Sequence, residues 1–415
     1  MSDSVRFVHA ADLHLGAPFK RVQAADSRVS DALLVAGTLA LGRIVDLCID
    51  RDVDFLLLAG DVFDSATPHP SAQHAFRRAM EELNTAGIPV YMTRGNHDPG
   101  DGRYDWIDLP DNVRVFSSAQ VERVLHEREG RASCAIHGWS FPSREVLDNV
   151  AKRFRRDPGD QIAIGVLHAN VGDREGWDPY APCSVVDLRD AGMDYWALGH
   201  IHLPEVVSAE TPVVVYPGSP QGLDPGESGE HGCFLVEAGP GNATAEFVPT
   251  ASVRWETVEV DMSDVFDAQG VRRQIVSSCQ EIREGSACPV ILRIELAGRT
   301  AARRLLTGAD LTALVEDVTA EQMERSPWVW IDRVTNHTRP AMDVGALLSD
   351  PGFVGDLMRD VQEMIDAGQA ASFVQEALES YLSKVPTEAQ PDIDAESLLI
   401  AARDAALDLL VQGGE

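Results

Sequence analysis

The chain has 415 residues and a formal charge of −31, and only three of its 35 basic side chains are lysines, Lys20, Lys152 and Lys384. It contains no apolar run of roughly 18 residues, and the opening MSDSVRFVHAAD lacks the charged-then-apolar layout of a secretory leader, so a soluble, cytoplasmic protein with no membrane partner is expected. Six scattered cysteines with no C-x-x-C pair argue against a zinc ribbon or a disulfide frame; the acidity fits adaptation to high salt and a bias in the coding DNA equally well.

From the N-terminus, apolar runs alternate with amphipathic stretches: VRFVHA, a helix over 28–50, DFLLLAG, a helix over 71–86, then IPVYMTRG. Further strands are expected at SCAIHGW, QIAIGVLH, DYWALGH, TPVVVYP and GCFLVEA, and the alternation predicts an α/β domain over 1–252. VRWETVEVDM, a helix over 264–284, PVILRIELAG, a further helical stretch and WVWIDRVT predict a smaller α+β domain over 253–345. The remainder, 346–415, reads as helical, with a proline-containing linker over 384–396 and a final helix over 396–412. In that helix Leu398, Leu399, Ala402, Ala406, Leu409 and Leu410 form one apolar stripe, which suits a partner-docking face and packing on the chain's own domain equally.

Five expected strand ends in the first domain carry metal-ligand chemistry: ADLHLG (Asp12, His14), AGDVFD (Asp61), RGNHD (Asn96, His97, Asp98), VLHANV (His168) and GHIH (His200, His202). Carboxylates, an amide oxygen and imidazoles together suit Mn(II), Mg(II), Fe(II) or Zn(II), and no cysteine stands in these segments. Each segment alone reads as readily as a surface turn or a hydrogen-bonded core residue; the ordered set of five does not. In a strand, His200 and His202 would project from the same face.

In this order the segments resemble the calcineurin-like metallophosphoesterases. ADLHLGAPF, LAGDVFDSATP and RGNHD look like the SbcD/YhaO type of DNA repair nuclease, and VRWETVEVD, PVILRIELAGRT and WVWIDRVTNHTRPAMDVGALL are similar to its cap region. The resemblance implies a four-layer αββα sandwich with a smaller α+β cap and a helical C-terminus. It implies two divalent ions, Mn(II) foremost, one held by Asp12, His14, Asp61 and His202, the other by Asp61, Asn96, His168 and His200. Hydroxide shared by the ions would attack the phosphodiester, and His97 would stabilise developing charge or protonate the leaving oxygen. The alternative for His97 is a turn residue oriented by Asp98. Asp64 stands where some relatives have a second histidine, and either helps to place the strand end or caps a turn.

The resemblance further implies a homodimer acting on DNA with an SbcC/YhaN-like ATPase; this sequence has no G-x-x-x-x-G-K-[ST] of its own. Lys152, Arg153, Arg155 and Arg156, with Arg272/Arg273 and Arg303/Arg304, read first as solvated helix faces and second as contacts for a DNA backbone gripped without sequence preference. Two other functions share the metal motif: hydrolysis of cyclic nucleotides or other small phosphoesters, and a non-catalytic DNA tether, for which missing ligands would be expected.

Overall fold

The structure, a computed structural model, describes residues 4–17, 26–65, 68–100, 108–128, 131–172, 174, 176–341, 343–382 and 394–412, so most of the expected linker lies outside the described residues. The chain divides into two compact units, 1–258 with 279–293 and 319–333, and 259–278 with 294–318 and 334–415.

The first unit opens with β1 (Val5–Ala10), α1 (Ser27–Asp50), β2 (Phe55–Ala59), α2 (Pro70–Thr85), β3 (Val90–Thr93) and β4 (Val113–Val115). It continues through β5 (Glu122–Arg128), β6 (Arg131–Gly138), β7 (Ala163–His168), α3 (Val185–Asp190), β8 (Tyr195–Gly199), β9 (Glu205–Ser208), β10 (Val213–Tyr216), β11 (Gly232–Gly239) and β12 (Asn242–Pro249). These make two six-stranded sheets, in the orders β12-β11-β1-β2-β3-β4 and β5-β6-β7-β8-β10-β9. The strands β1 to β4 are parallel, as are β6, β7, β8 and β10. A parallel strand is covered on both faces, which is why FLLLA of β2 is apolar and buried throughout.

Alternate side chains of each strand point into two different cores. Phe7, Phe55 and Leu57 meet Ile164, Tyr195 and Val215 between the sheets, with Phe7 stacked on Phe55 at 4.9 Å and edge-on to Tyr195 at 5.4 Å. On the outer face of the first sheet, Val8, Leu56 and Leu58 pack against Leu41, Ile44 and Cys48 of α1 and Phe76 and Met80 of α2. On the outer face of the second, Trp196 and Val214 pack against Phe154 and Leu188 of α3. The layers run α, β, β, α, the four-layer sandwich that the resemblance implies. Among the described residues α1 is the one helix long and apolar enough to cross a membrane; eight of its residues, from Val29 to Cys48, are buried in the unit, while Leu34, Val35, Leu39 and Ile49 are exposed.

Beyond the sandwich come β13 (Arg254–Asp261), α4 (Ala268–Glu284), β14 (Val290–Ala297), β15 (Arg299–Thr300), α5 (Gly308–Met323), β16 (Val329–Asn336) and β17 (Arg339–Pro340). β13, β14 and β16 form a three-stranded sheet. The C-terminus is helical: α6 (Val344–Leu348), α7 (Phe353–Asp366), α8 (Ala370–Leu382) and α9 (Ala395–Gln412). The stripe on α9 is split, because Leu399 is buried with Val361 of α7 and Ala370 and Val374 of α8, whereas Leu398, Leu409 and Leu410 are exposed.

Candidate metal centre

Parallel strands send all their C-terminal ends to one edge, and an open α/β sheet places its ligands there. Asp12 and His14 follow β1, Asp61 follows β2, Asn96 and His97 follow β3, His168 ends β7, and His200 and His202 follow β8. Every strand end singled out in the sequence therefore reaches one centre, inside the first unit. The backbone is bent to make it: Asp12, His14, Asp61 and His200 have φ of 52°, 42°, 48° and 103°, in the left-handed region that costs an L-residue roughly 1–3 kcal/mol. Space is equally specified, since a Cβ on Gly60 would lie 2.5 Å from Nδ1 of His168 and one on Gly95 would overlap the Asp61 carboxylate.

His200 and His202 do not share a strand face. β8 stops at Gly199, and the positive φ at His200 turns the chain so that the His200 ring lies 5.2 Å from that of His168 while the His202 ring lies 4.8 Å from that of His14. Asp61 stands between the two groups, with Oδ2 3.8 Å from Nε2 of His14 and 3.4 Å from Nε2 of His168. Asn96 Oδ1 lies 3.0 Å from that same His168 nitrogen, and both oxygens of Asp12 accept the backbone N–H of His200.

The outward nitrogen of each of the four histidines faces an acceptor. His168 Nδ1 donates to the carbonyl of Ala59 at 3.0 Å and His200 Nε2 to the carbonyl of Asp178 at 2.8 Å. His202 Nδ1 meets the Glu227 carboxylate at 2.6 Å, and His14 Nδ1 lies 3.4 Å from Asp64. The rings of His14, His168 and His202 present Nε2 to the centre. Nε2 of His14 and Nε2 of His202 then face each other at 3.1 Å, close enough to share a proton or a cation. The groups Asp12–His14–His202 and Asp12–Asp61–His168 each offer ligand atoms within 4.8 Å of one another, so the donor set fits divalent cations.

Charges in this pocket act strongly on each other. Burial alone would lower His168, but the Asp61 and Asp12 carboxylates outweigh it and raise the ring to about 9; burial opposes ionisation of Asp61, and His168 and His14 nevertheless hold it well below the usual carboxylate range. Burial lowers His200 to about 4, which keeps it neutral. Asp98 is raised to about 7 by burial and by Asp61.

Two assignments change on the structure. Asp98 does not orient His97: its carboxyl oxygens accept the N–H groups of Val62 and Gly95, tying two ligand loops together. His97 is instead tied to Asp64, whose carbonyl oxygen lies 2.9 Å from Nδ1 and whose carboxylate lies 3.6 Å from it, so Asp64 stands against both His14 and His97. Arg156 is not available to DNA. Its guanidinium donates to the carbonyls of Asp160, Gln161 and Gly192 and to the carboxylate of Asp194, at the N-terminal ends of β7 and β8, the opposite edge from the metal centre. Arg153 pairs with the exposed Asp148, Arg155 donates to the Phe154 carbonyl, Lys152 faces Asp187, Arg272 pairs with Asp317 and Arg303 donates to the Thr338 carbonyl. Sequence reasoning did not find Glu227, or Trp177, whose ring stands edge-on to His202 at 5.0 Å; neither carries a spacing signal.

The profile of the family described as calcineurin-like phosphoesterase matches residues 5–204, and that of the metallophosphoesterase YhaO middle domain matches 255–339. The uncharacterized metallophosphoesterase YhaO of Bacillus subtilis is 35% identical over 363 residues, covering 87% of this chain and 88% of that protein. The DNA double-strand break repair protein Mre11 of Methanopyrus kandleri is 25% identical over 290 residues, covering 62% of this chain and 58% of its own. The SbcD component of the SbcCD nuclease of Bacillus subtilis is 25% identical over 304 residues, covering 63% and 74%. With a relative matched at 35% identity along most of both chains, and with the four-layer sandwich in place, the protein belongs to the calcineurin-like metallophosphoesterases.

Proposed function

We propose that this protein is a metal-dependent DNA phosphodiesterase of double-strand-break repair that cuts without sequence preference. On this reading it is cytoplasmic and dimeric, and it works with an SbcC/YhaN-like P-loop ATPase. The observation that carries the reading is the convergence of Asp12, His14, Asp61, Asn96, His168, His200 and His202 on one edge of the sandwich. The relatives whose names state a nuclease or a break-repair role support the choice of DNA.

Asp12, His14, Asp61 and His202 would hold one ion, and Asp61, Asn96, His168 and His200 the other, with Mn(II) the expected metal. Bound there, two divalent ions acidify water and clamp phosphate oxygens. The chain's own residues do the rest. Asp61 is oriented by the backbone N–H of His97 at 2.8 Å, and Asp12 by that of His200. His97, with a third of its side chain exposed and Nδ1 tied to Asp64, offers its outer edge to the phosphate, where it stabilises developing charge or protonates the leaving oxygen. Arg153, itself exposed and paired with an exposed carboxylate, can exchange Asp148 for a DNA phosphate at little cost.

The test is Mn(II)-dependent cleavage of linear duplex, single-stranded DNA and bis-p-nitrophenyl phosphate by the wild type and His97→Ala. Expected are DNA cleavage by the wild type and a loss of about 10²–10⁴-fold in the variant with metal content unchanged. Activity on the small ester alone would overturn the DNA reading, and undiminished cleavage by the variant would remove His97 from the chemistry.

A further inference from the structure

We propose that Glu227 is the positioning residue of His202: its carboxylate fixes the imidazole as the Nδ1–H tautomer and so aims Nε2 at the metal. The inference rests on the reading above that His202 is a ligand. Nδ1 of His202 and Oε1 of Glu227 are 2.6 Å apart, and the two side chains are only 19% and 15% exposed. The carboxylate is itself immobilised. Its other oxygen, Oε2, accepts the N–H of Leu223 at 2.7 Å; the Glu227 N–H donates to the Asp224 carbonyl, and the Glu227 carbonyl faces Nε2 of the buried His231 at 3.0 Å. A ring held from that side has one orientation left, with Nε2 facing Nε2 of His14 at 3.1 Å.

His168 and His200 lean on backbone carbonyls, whereas His202 leans on a charge. A carboxylate accepts more strongly than a carbonyl and makes the ring a better electron donor. In the same pocket His14 has the Asp64 carboxylate behind it, so both histidines assigned to the first ion are backed by carboxylates and both assigned to the second by carbonyls.

A plain alternative role for Glu227 is to pin the loop through Leu223. Glu227→Gln keeps the size and an oxygen for that N–H while removing the charge. Mn(II) titration calorimetry on the full chain compares the wild type, Glu227→Gln and His202→Ala, and long-range ¹H–¹⁵N spectra of the metal-free protein report the His202 tautomer. Expected for Glu227→Gln are a 10–100-fold loss of Mn(II) affinity and a fall in the Nδ1–H form, with the thermal midpoint of the metal-free protein unchanged. Unchanged affinity in Glu227→Gln, with His202→Ala weakened, would overturn the role of Glu227 and leave the ligand assignment standing. Unchanged affinity in His202→Ala would remove the ligand assignment and this inference with it. Lost affinity with the tautomer intact would assign Glu227 to the loop instead.

Discussion

His97 donates its backbone N–H to Oδ1 of Asp61 over 2.8 Å, while Oδ2 of the same carboxylate lies within 4 Å of the inward nitrogens of His14 and His168. The residue proposed to meet the substrate and the one proposed to be shared by the ions are thus held as one rigid piece. Asp61→Asn keeps the shape and removes the charge both sites need. Metal content by mass spectrometry should fall from about two ions per chain to below one, with hydrolysis of bis-p-nitrophenyl phosphate lost at the same time. Two ions retained by this variant would sink the shared-carboxylate assignment.

A second prediction concerns acid. His9, on β1, is fully buried between the sheets, with Nε2 at 3.1 Å from the Leu198 carbonyl and Nδ1 at 2.9 Å from the Tyr195 hydroxyl. Burial lowers its pKa from 6.5 to about 3, the Leu198 carbonyl opposing. Between those values the unfolded chain binds a proton that the folded one refuses, so stability falls as pH drops through that window, by on the order of 5 kcal/mol in all. Urea melts of wild type and His9→Asn from pH 7 to 4 should show a shallower acid limb in the variant. Parallel limbs would contradict this account.

The arginines of the KRFRR stretch should separate cleanly. Arg156 is bound to three carbonyls and to Asp194, whose carboxylate also takes the N–H groups of Ala163 and Gly241. Arg156→Ala should cost about 3 kcal/mol in urea unfolding and leave DNA retention unchanged, since it strands a buried carboxylate. Arg153→Ala should change stability by less than about 0.5 kcal/mol and shift DNA retention to lower salt. A DNA defect in Arg156→Ala at full stability would reverse the assignment.

The two-sheet frame was legible because burial on both faces forces apolar strands, and FLLLA and AIGVLH are such strands. The meeting of those strand ends at one edge was legible because metal-ligand chemistry restricts residue type and topology restricts position to strand ends. The backing of those ligands was not legible. Carbonyls such as those of Ala59 and Asp178 carry no residue signature, and Glu227 is one carboxylate among several in LDPGESGEHG, chosen only by where its loop folds. The parting of His200 from His202 was also hidden, because it depends on a positive φ at His200, a conformation uncommon for any residue but glycine. Arg156 misled for the complementary reason: a basic cluster in sequence says nothing about how many of its donors are already spent.

Asp12, His14, Asp61 and Asn96 come from the first sheet, and His168, His200 and His202 from the second. Ions seated among them would act as a removable cross-link between two sheets that also meet through apolar packing and through bonds such as those of His9 to Tyr195, His168 to Ala59 and His200 to Asp12. Occupancy would then govern mechanical cohesion at that edge as well as reactivity, and a chelated chain should breathe first where the scissile bond would lie.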